Sequence, residues 1–153
     1  MHFFSTINAV LAATVVGASA TSAPAPITET VNVNNFSAKI TIDGQQNGKM
    51  AIHFNVDAKD AEGVECSAKD LEPNLISGEL NCNHPEFSFV VVNSVDEIYF
   101  TLRLLRKKLR TATLWGQDMV PTSRCEPDAA GGGLLCEQNG EMRMIIDNAQ
   151  SPP

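Results

Sequence analysis

Cys66 and Cys82 lie between two segments whose side-chain patterns read as β-strands, and this arrangement constrains the fold more than any other feature of the chain. Ala51-Ile52-His53-Phe54-Asn55-Val56-Asp57 alternates apolar and polar residues. Ile52, Phe54 and Val56 therefore share one face of a pleated strand, and His53, Asn55 and Asp57 the other. Phe87-Ser88-Phe89-Val90-Val91-Val92 is a second strand, rich in aromatic and β-branched side chains. Pro73, Asn74 and Gly78 supply turn residues in the connection. The expected order is strand, cysteine, loop, cysteine, strand, with a Cys66–Cys82 link closing the loop and tying both strands to one core.

The same period of two recurs along the chain. Thr30 to Ser37 partly alternates and reads as a first strand, with Lys39-Ile40-Thr41-Ile42 continuing or following it. Asp43-Gly44 and Asn47-Gly48 are hairpin dipeptides. Ile98, Phe100, Leu102 and Leu104 alternate with Tyr99, Thr101 and Arg103, and a return run spans Leu109 to Trp115. A helix over Glu97–Leu109 competes, since Arg, Lys and Leu favour helices; four successive matches to the strand period favour strands. Gly116-Gln117-Asp118 and Pro121-Thr122-Ser123 read as breaks, residues 129–133 as a glycine-rich loop, and Glu141 to Ile146 as the last strand. Short strands separated by frequent turn signals predict an all-β domain, a compact antiparallel β-barrel or sandwich, over residues 30–147. Thr21 to residue 29 reads as a flexible leader and residues 148–153 as a tail.

The N-terminus carries an uncharged apolar run, Ala9 to Val16, followed by Ala18-Ser19-Ala20, a small-x-small cleavage pattern. Residues 1–20 are expected to be a signal peptide, and the apolar run is too short to span a bilayer, which takes about 20 residues. All four cysteines follow it. An even count in an exported chain favours disulfides over zinc, which prefers a close C-x₂₋₄-C pair that this chain lacks. Of the three possible connectivities, Cys66–Cys82 with Cys125–Cys136 closes the two short loops. A formal net charge of −7 opposes non-specific nucleic-acid binding. The expectation is a secreted, extracellular protein with no stable membrane insertion.

Val-Asn-Asn-Phe-Ser (33–37), Phe-Asn-Val (54–56), Cys-Ser-Ala (66–68), Cys82, Phe-Ser-Phe (87–89), Cys125, the glycine-rich loop and Cys136, in this order, resemble the Alternaria major-allergen family of small secreted fungal proteins. The resemblance runs from about Thr30 to Ile146. It implies a compact β-barrel with bridges Cys66–Cys82 and Cys125–Cys136, and an effector-like or allergen-like protein that acts on a host, in virulence, by binding a partner such as a plant defence protein. The cysteine that links two chains in the family's type protein has no counterpart here, so no disulfide-linked dimer is expected.

No catalytic arrangement stands out, and neither an enzyme nor a cofactor or metal is expected. His53 and His84 lack an activating neighbour in sequence, and the pairs Asp57/Asp60 and Asp96/Glu97 fall at strand ends or in loops. Gly131-Gly132-Gly133 has neither the spacing nor the lysine of a phosphate loop. Asn35-Phe36-Ser37 is an N-glycosylation sequon on Asn35. The most distinctive surface feature is the run 103–110, in which Arg103, Arg106, Lys107, Lys108 and Arg110 concentrate positive charge in an acidic protein. On a hairpin these residues form a positive tip: either a solvated turn that blunts a sheet edge or the contact patch for an acidic partner. The alternative function is carriage of a small apolar ligand in or beside the barrel, in a pocket lined by Phe54, Phe87, Phe89 and Trp115.

Overall fold

The computed structural model describes residues 25–41, 48–73, 75–94, 99–108, 112–122, 125–129 and 132–149. They form one ten-stranded sheet whose pairings are all antiparallel. The strands are β1 Thr28–Thr41, β2 Lys49–Ala58, β3 Ala61–Leu71, β4 Leu80–Asn81, β5 Phe87–Ser94, β6 Tyr99–Lys108, β7 Ala112–Met119, β8 Glu126–Pro127, β9 Gly133–Glu137 and β10 Met142–Asp147. Their order is β3-β2-β1-β10-β7-β6-β5-β4, with β9 added to β1 and β8 to β9. The sheet curls into a nearly closed barrel around a single apolar cluster. From Tyr99 onward the run 98–104 is thus a strand, as its alternation predicted, and Leu102 and Leu104 point inward.

β1 is one long strand rather than two. Asn35 adopts a left-handed backbone, with φ 55°, and the β1–β2 register shifts between Asn34 and Ser37. This β-bulge moves the inward positions from Val31 and Val33 to Phe36, Ala38 and Ile40. It also divides the strand between partners: residues 28–33 pair with β10 and residues 37–41 with β9. The strand starts at Thr28, inside the stretch expected as leader. Asn148, in the expected tail, ties back to it, accepting a 2.7 Å hydrogen bond from the Ile27 amide.

Cys66 does not sit in a loop, as expected, but in the middle of β3. That strand is mostly polar: only Val64 and Cys66 are buried in the core, with Ala61, Ala68 and Leu71 partly buried against it, while Glu62, Glu65, Ser67 and Lys69 face water. Gly116 is likewise no break. It lies buried in β7, where an added Cβ would run into the Ile145 carbonyl oxygen of β10. Glycine here lets two backbones approach closely. Gly116→Ala is expected to lower stability by about 1–3 kcal/mol through overpacking, measured by urea denaturation. A stabilised variant would show that β10 yields without cost and that the close approach is incidental.

The barrel's two ends meet at a seam between β3 and β4. Here the Cys66–Cys82 disulfide spans the gap, with Cα atoms 4.2 Å apart. Beside it the Asn83 amide donates to the Glu65 carbonyl at 2.8 Å, and the Glu65 amide donates to Asn83 Oδ1 at 3.0 Å. The second disulfide, Cys125–Cys136, fixes β9 to the residues before β8 and so holds that hairpin against β1.

Candidate functional site

The interior holds one apolar cluster. Phe36, Phe54, Phe89 and Phe100 interlock with ring centroids 5.0–6.3 Å apart, the Phe54–Phe89 pair edge to face. Phe54, Phe87 and Phe89 are buried among other core side chains, and Trp115 lies half-buried away from the core cluster. Of the four aromatic residues expected to line a ligand pocket, Phe54, Phe87 and Phe89 are thus core side chains of one cluster, while Trp115 is not part of it.

The basic run lies on β6, and the strand's period of two distributes it. Phe100, Leu102 and Leu104 point inward, and two residues further the same face delivers Arg106, only 2% exposed, to one end of the barrel. Its guanidinium meets three carboxylates that converge from separate elements. Arg106 Nη1 donates to Glu29 of β1, Nη2 donates at 2.6 Å to Asp60 of the β2–β3 turn, and Nη2 and Nε donate at 3.0 and 3.1 Å to Glu86 ahead of β5. The guanidinium carbon lies 4.9 Å from the Phe87 ring centroid. Lys108 Nζ adds a second cation on Glu29, 2.9 Å from Oε2. Asp60 and Glu86 come from turns on the two sides of the seam, so Arg106 bridges it.

Electrostatics follow from this geometry. The hydrogen bond from Arg106 holds the Asp60 carboxyl below its ordinary value. Burial opposes the charged form of Arg106, but the hydrogen bonds to Asp60 and Glu86 and the charge of Glu29 outweigh it and raise its pKa. Outside the cluster, Lys107 Nζ lies 2.6 Å from Glu79 Oε1, and this hydrogen bond, helped by one from Ser88, lowers the Glu79 pKa.

The expected positive tip is thus corrected. Arg106 is an internal tie rather than an exposed turn residue, Lys108 shares its carboxylate, and Lys107 is paired at the surface; Arg110 lies outside the described residues. Arg103 alone of the run's arginines described here faces outward on the strand. Its Nε and Nη2 donate to Gln117 Oε1 at 3.1 and 2.9 Å, and its guanidinium lies 5.8 Å from the Trp115 ring centroid. Tyr99 (50% exposed) and Met119 (53% exposed) lie further along the same outer face, toward the start of β6 and the end of β7. Trp115 in this role, and Glu29 and Glu86 in the cluster, escaped the sequence reading. The inward alternation of β6, extended by one step, was the available signal for Arg106.

The remaining candidates have structural partners. Asp57 accepts from Asn34 Nδ2 at 2.7 Å and from the Gly63 amide at 2.6 Å, shaping the β2–β3 turn. His53 Nε2 lies 3.4 Å from Glu65 across the strands, and His84 Nδ1 accepts from the Glu86 amide. Asn35 is exposed on the β1 bulge. No group of three or more His, Cys, Asp or Glu side chains placed to hold a metal occurs among the described residues. The expected signal peptide and the Asp96/Glu97 pair lie outside the described residues, as do Ala130 and Gly131 of the glycine loop, and Gly133 opens β9.

No protein-family model matches the sequence, and no curated protein matches it. The structure does have neighbours. A crystal structure of the Alternaria alternata major allergen Alt a 1 superposes with a TM-score of 0.54 at 13% identity, covering 80% of this chain and 96% of the allergen. A second crystal structure of Alternaria alternata allergen Alt a 1 gives 0.53 at 16% identity, covering 76% and 86%. At such identities what is shared is the fold. The cysteine-framed strands, the seam they close and these superpositions agree on one architecture: this chain has the β-barrel fold of the Alternaria major allergen.

Proposed function

We propose that the protein is an extracellular, allergen-like barrel that acts by binding a partner protein rather than by catalysis, and that its contact face is the outer surface of β6 and β7. The observation that carries this reading is Arg103 held over Trp115, with exposed Met119 and Tyr99 further along the same outer face of β6 and β7. Arginine, tryptophan and tyrosine dominate the energetics of protein interfaces, and Gln117 holds the guanidinium in place before any partner arrives. Arg103 supplies the positive charge of this face, so the favoured partner is acidic. Two disulfides fit an oxidising, extracellular compartment, and export through residues 1–20 accounts for it. A host plant defence protein is the expected partner class, on the strength of the family resemblance, and a role as a fungal effector rests on the same footing.

The test uses the disulfide-intact chain and a partner recovered from plant apoplastic fluid. Trp115→Ala is expected to weaken binding by about thirtyfold or more, as for a hot-spot side chain. Arg103→Gln is expected to slow association and flatten its salt dependence, because exposed charges are screened over about 8 Å at physiological ionic strength. Arg143→Ala, an exposed arginine on β10, serves as control. Wild-type binding by both face variants, with folding verified by thermal melting, would remove this face from the function.

A further inference from the structure

The seam is stitched at Cys66–Cys82 and Glu65–Asn83, but it gapes at the C-terminal end of β3. There a cavity of about 190 Å³ lies between Leu71 of β3 and the segment that leads to β4. Its floor is apolar: Met50 and Val91, both buried members of the core, together with Leu71. One wall consists of Leu75 and Ile76, which are 55% and 68% exposed. That wall is anchored rather than loose. The Ser77 amide donates to the Val91 carbonyl, and the Val91 amide donates to Ser77 Oγ, both at 2.9 Å. Asp70 and Glu72 complete the lining, and no basic residue is part of it. Two larger depressions of the described surface are different, being lined mainly by polar side chains; one includes Lys59 and Arg143 beside its carboxylates, and neither has an aliphatic floor.

We propose that this cavity is a binding site for a small organic ammonium ion, an aromatic or branched aliphatic body joined by a short chain to a protonated amine. The size admits one ring with a short chain, since an apolar cavity of about 150 Å³ accepts benzene. A fully hydrated metal ion gains nothing from an aliphatic floor, because burial is favourable only for apolar surface. An organic anion meets two carboxylates of its own sign. An amphipathic cation satisfies both halves of the site: its body displaces water from Met50, Leu71, Val91 and Ile76, the Met50 thioether suiting an aromatic ring, while its ammonium group sits beside Asp70 and Glu72. The site is separate from the Arg103–Trp115 face and stands whether or not that face binds a partner.

The experiment is a methyl NMR titration of the disulfide-intact protein with three probes of matched size: 2-phenylethylammonium, neutral 2-phenylethanol and anionic 3-phenylpropanoate. The ammonium probe is expected to shift the methyl signals of Met50, Leu71, Ile76 and Val91 with a dissociation constant of about 1 mM. The alcohol should bind several-fold more weakly and the anion more weakly still. Asp70→Asn with Glu72→Gln, at exposed positions, should abolish the preference for the cation over the alcohol while leaving the alcohol's affinity unchanged. Ile76→Lys, which brings a tethered ammonium to the rim, should lower the affinity for the cationic probe. Equal binding of ammonium and alcohol by the wild type, a preference that survives the double substitution, or shifts confined to other methyl groups would each overturn the proposal.

Discussion

Arg106→Met is expected to destabilise the folded chain by about 3–5 kcal/mol, the usual cost of removing one partner from a buried ion pair. The methionine itself packs acceptably against Phe87; the loss comes from what is left behind. Among the described residues, Glu29, whose side chain is nearly buried, then keeps Lys108 alone, and Glu86 loses its Arg106 donor. Urea denaturation should show the drop in midpoint with an unchanged slope, since the surface exposed on unfolding hardly alters. Asp60→Asn should cost far less, because Asp60 is largely exposed, and Lys107→Ser should fall within about 0.5 kcal/mol of wild type as an ordinary surface substitution. The double variant Glu29→Gln with Arg106→Met should recover part of the loss by removing the stranded charge. If Arg106→Met behaves like Lys107→Ser, the guanidinium is solvated and the internal tie does not exist.

The ion pairs of Arg106 and Lys107 set an acid limit. Asp60 and Glu79 have folded-state pKa values below their ordinary ones. Their contribution to stability is therefore complete above the unfolded-state values, about 3.9 for Asp and 4.3 for Glu, and is lost as pH falls through the lower folded-state values. Stability measured against pH should decline below about pH 4, and Arg106→Met should remove the share of that decline that belongs to Asp60. A decline of the same size in the variant would mean that Asp60 is not held by Arg106.

Cys66→Ser with Cys82→Ser should be the other large perturbation. The bridge closes a loop with a sequence separation of 16, which the chain-entropy model values at about 3 kcal/mol. Its position predicts a second effect. It joins the two edges of the sheet, so its loss should free β3 from β4 and expose unpaired strand edges. Hydrogen exchange should then show amides of Val64 to Ala68 losing more protection than those of β1 and β10, which keep partners on both sides. Removing Cys125–Cys136, with its separation of 11, should cost somewhat less, with its exchange effect limited to β8, β9 and their contact with β1. Uniform loss of protection across the barrel in the Cys66/Cys82 variant would show that the seam is held by other contacts.

Much of the barrel was readable from the chain alone, and for one physical reason. A strand with one face in the core must alternate, so Ile52, Phe54 and Val56, or Phe100, Leu102 and Leu104, announce both their structure and their inward face. The cysteines, spaced to close short loops, gave their pairing the same local character. β3 was illegible because a strand that buries only Val64 and Cys66 fully, amid Glu62, Glu65, Ser67 and Lys69, lacks apolar alternation. The β1 bulge and the buried Gly116 were illegible because each depends on where another strand's backbone passes. Arg106 shows the division most clearly. Its inward direction was implicit in the alternation of β6, but the carboxylates that make a buried guanidinium tolerable lie 77, 46 and 20 residues away in sequence. The sequence by itself determined a disulfide-framed β-barrel with the inner faces of its main strands. Tertiary structure alone decided that the basic run would be split between an internal tie and an outward Arg103, because only closure of the sheet brings Glu29, Asp60 and Glu86 to one point.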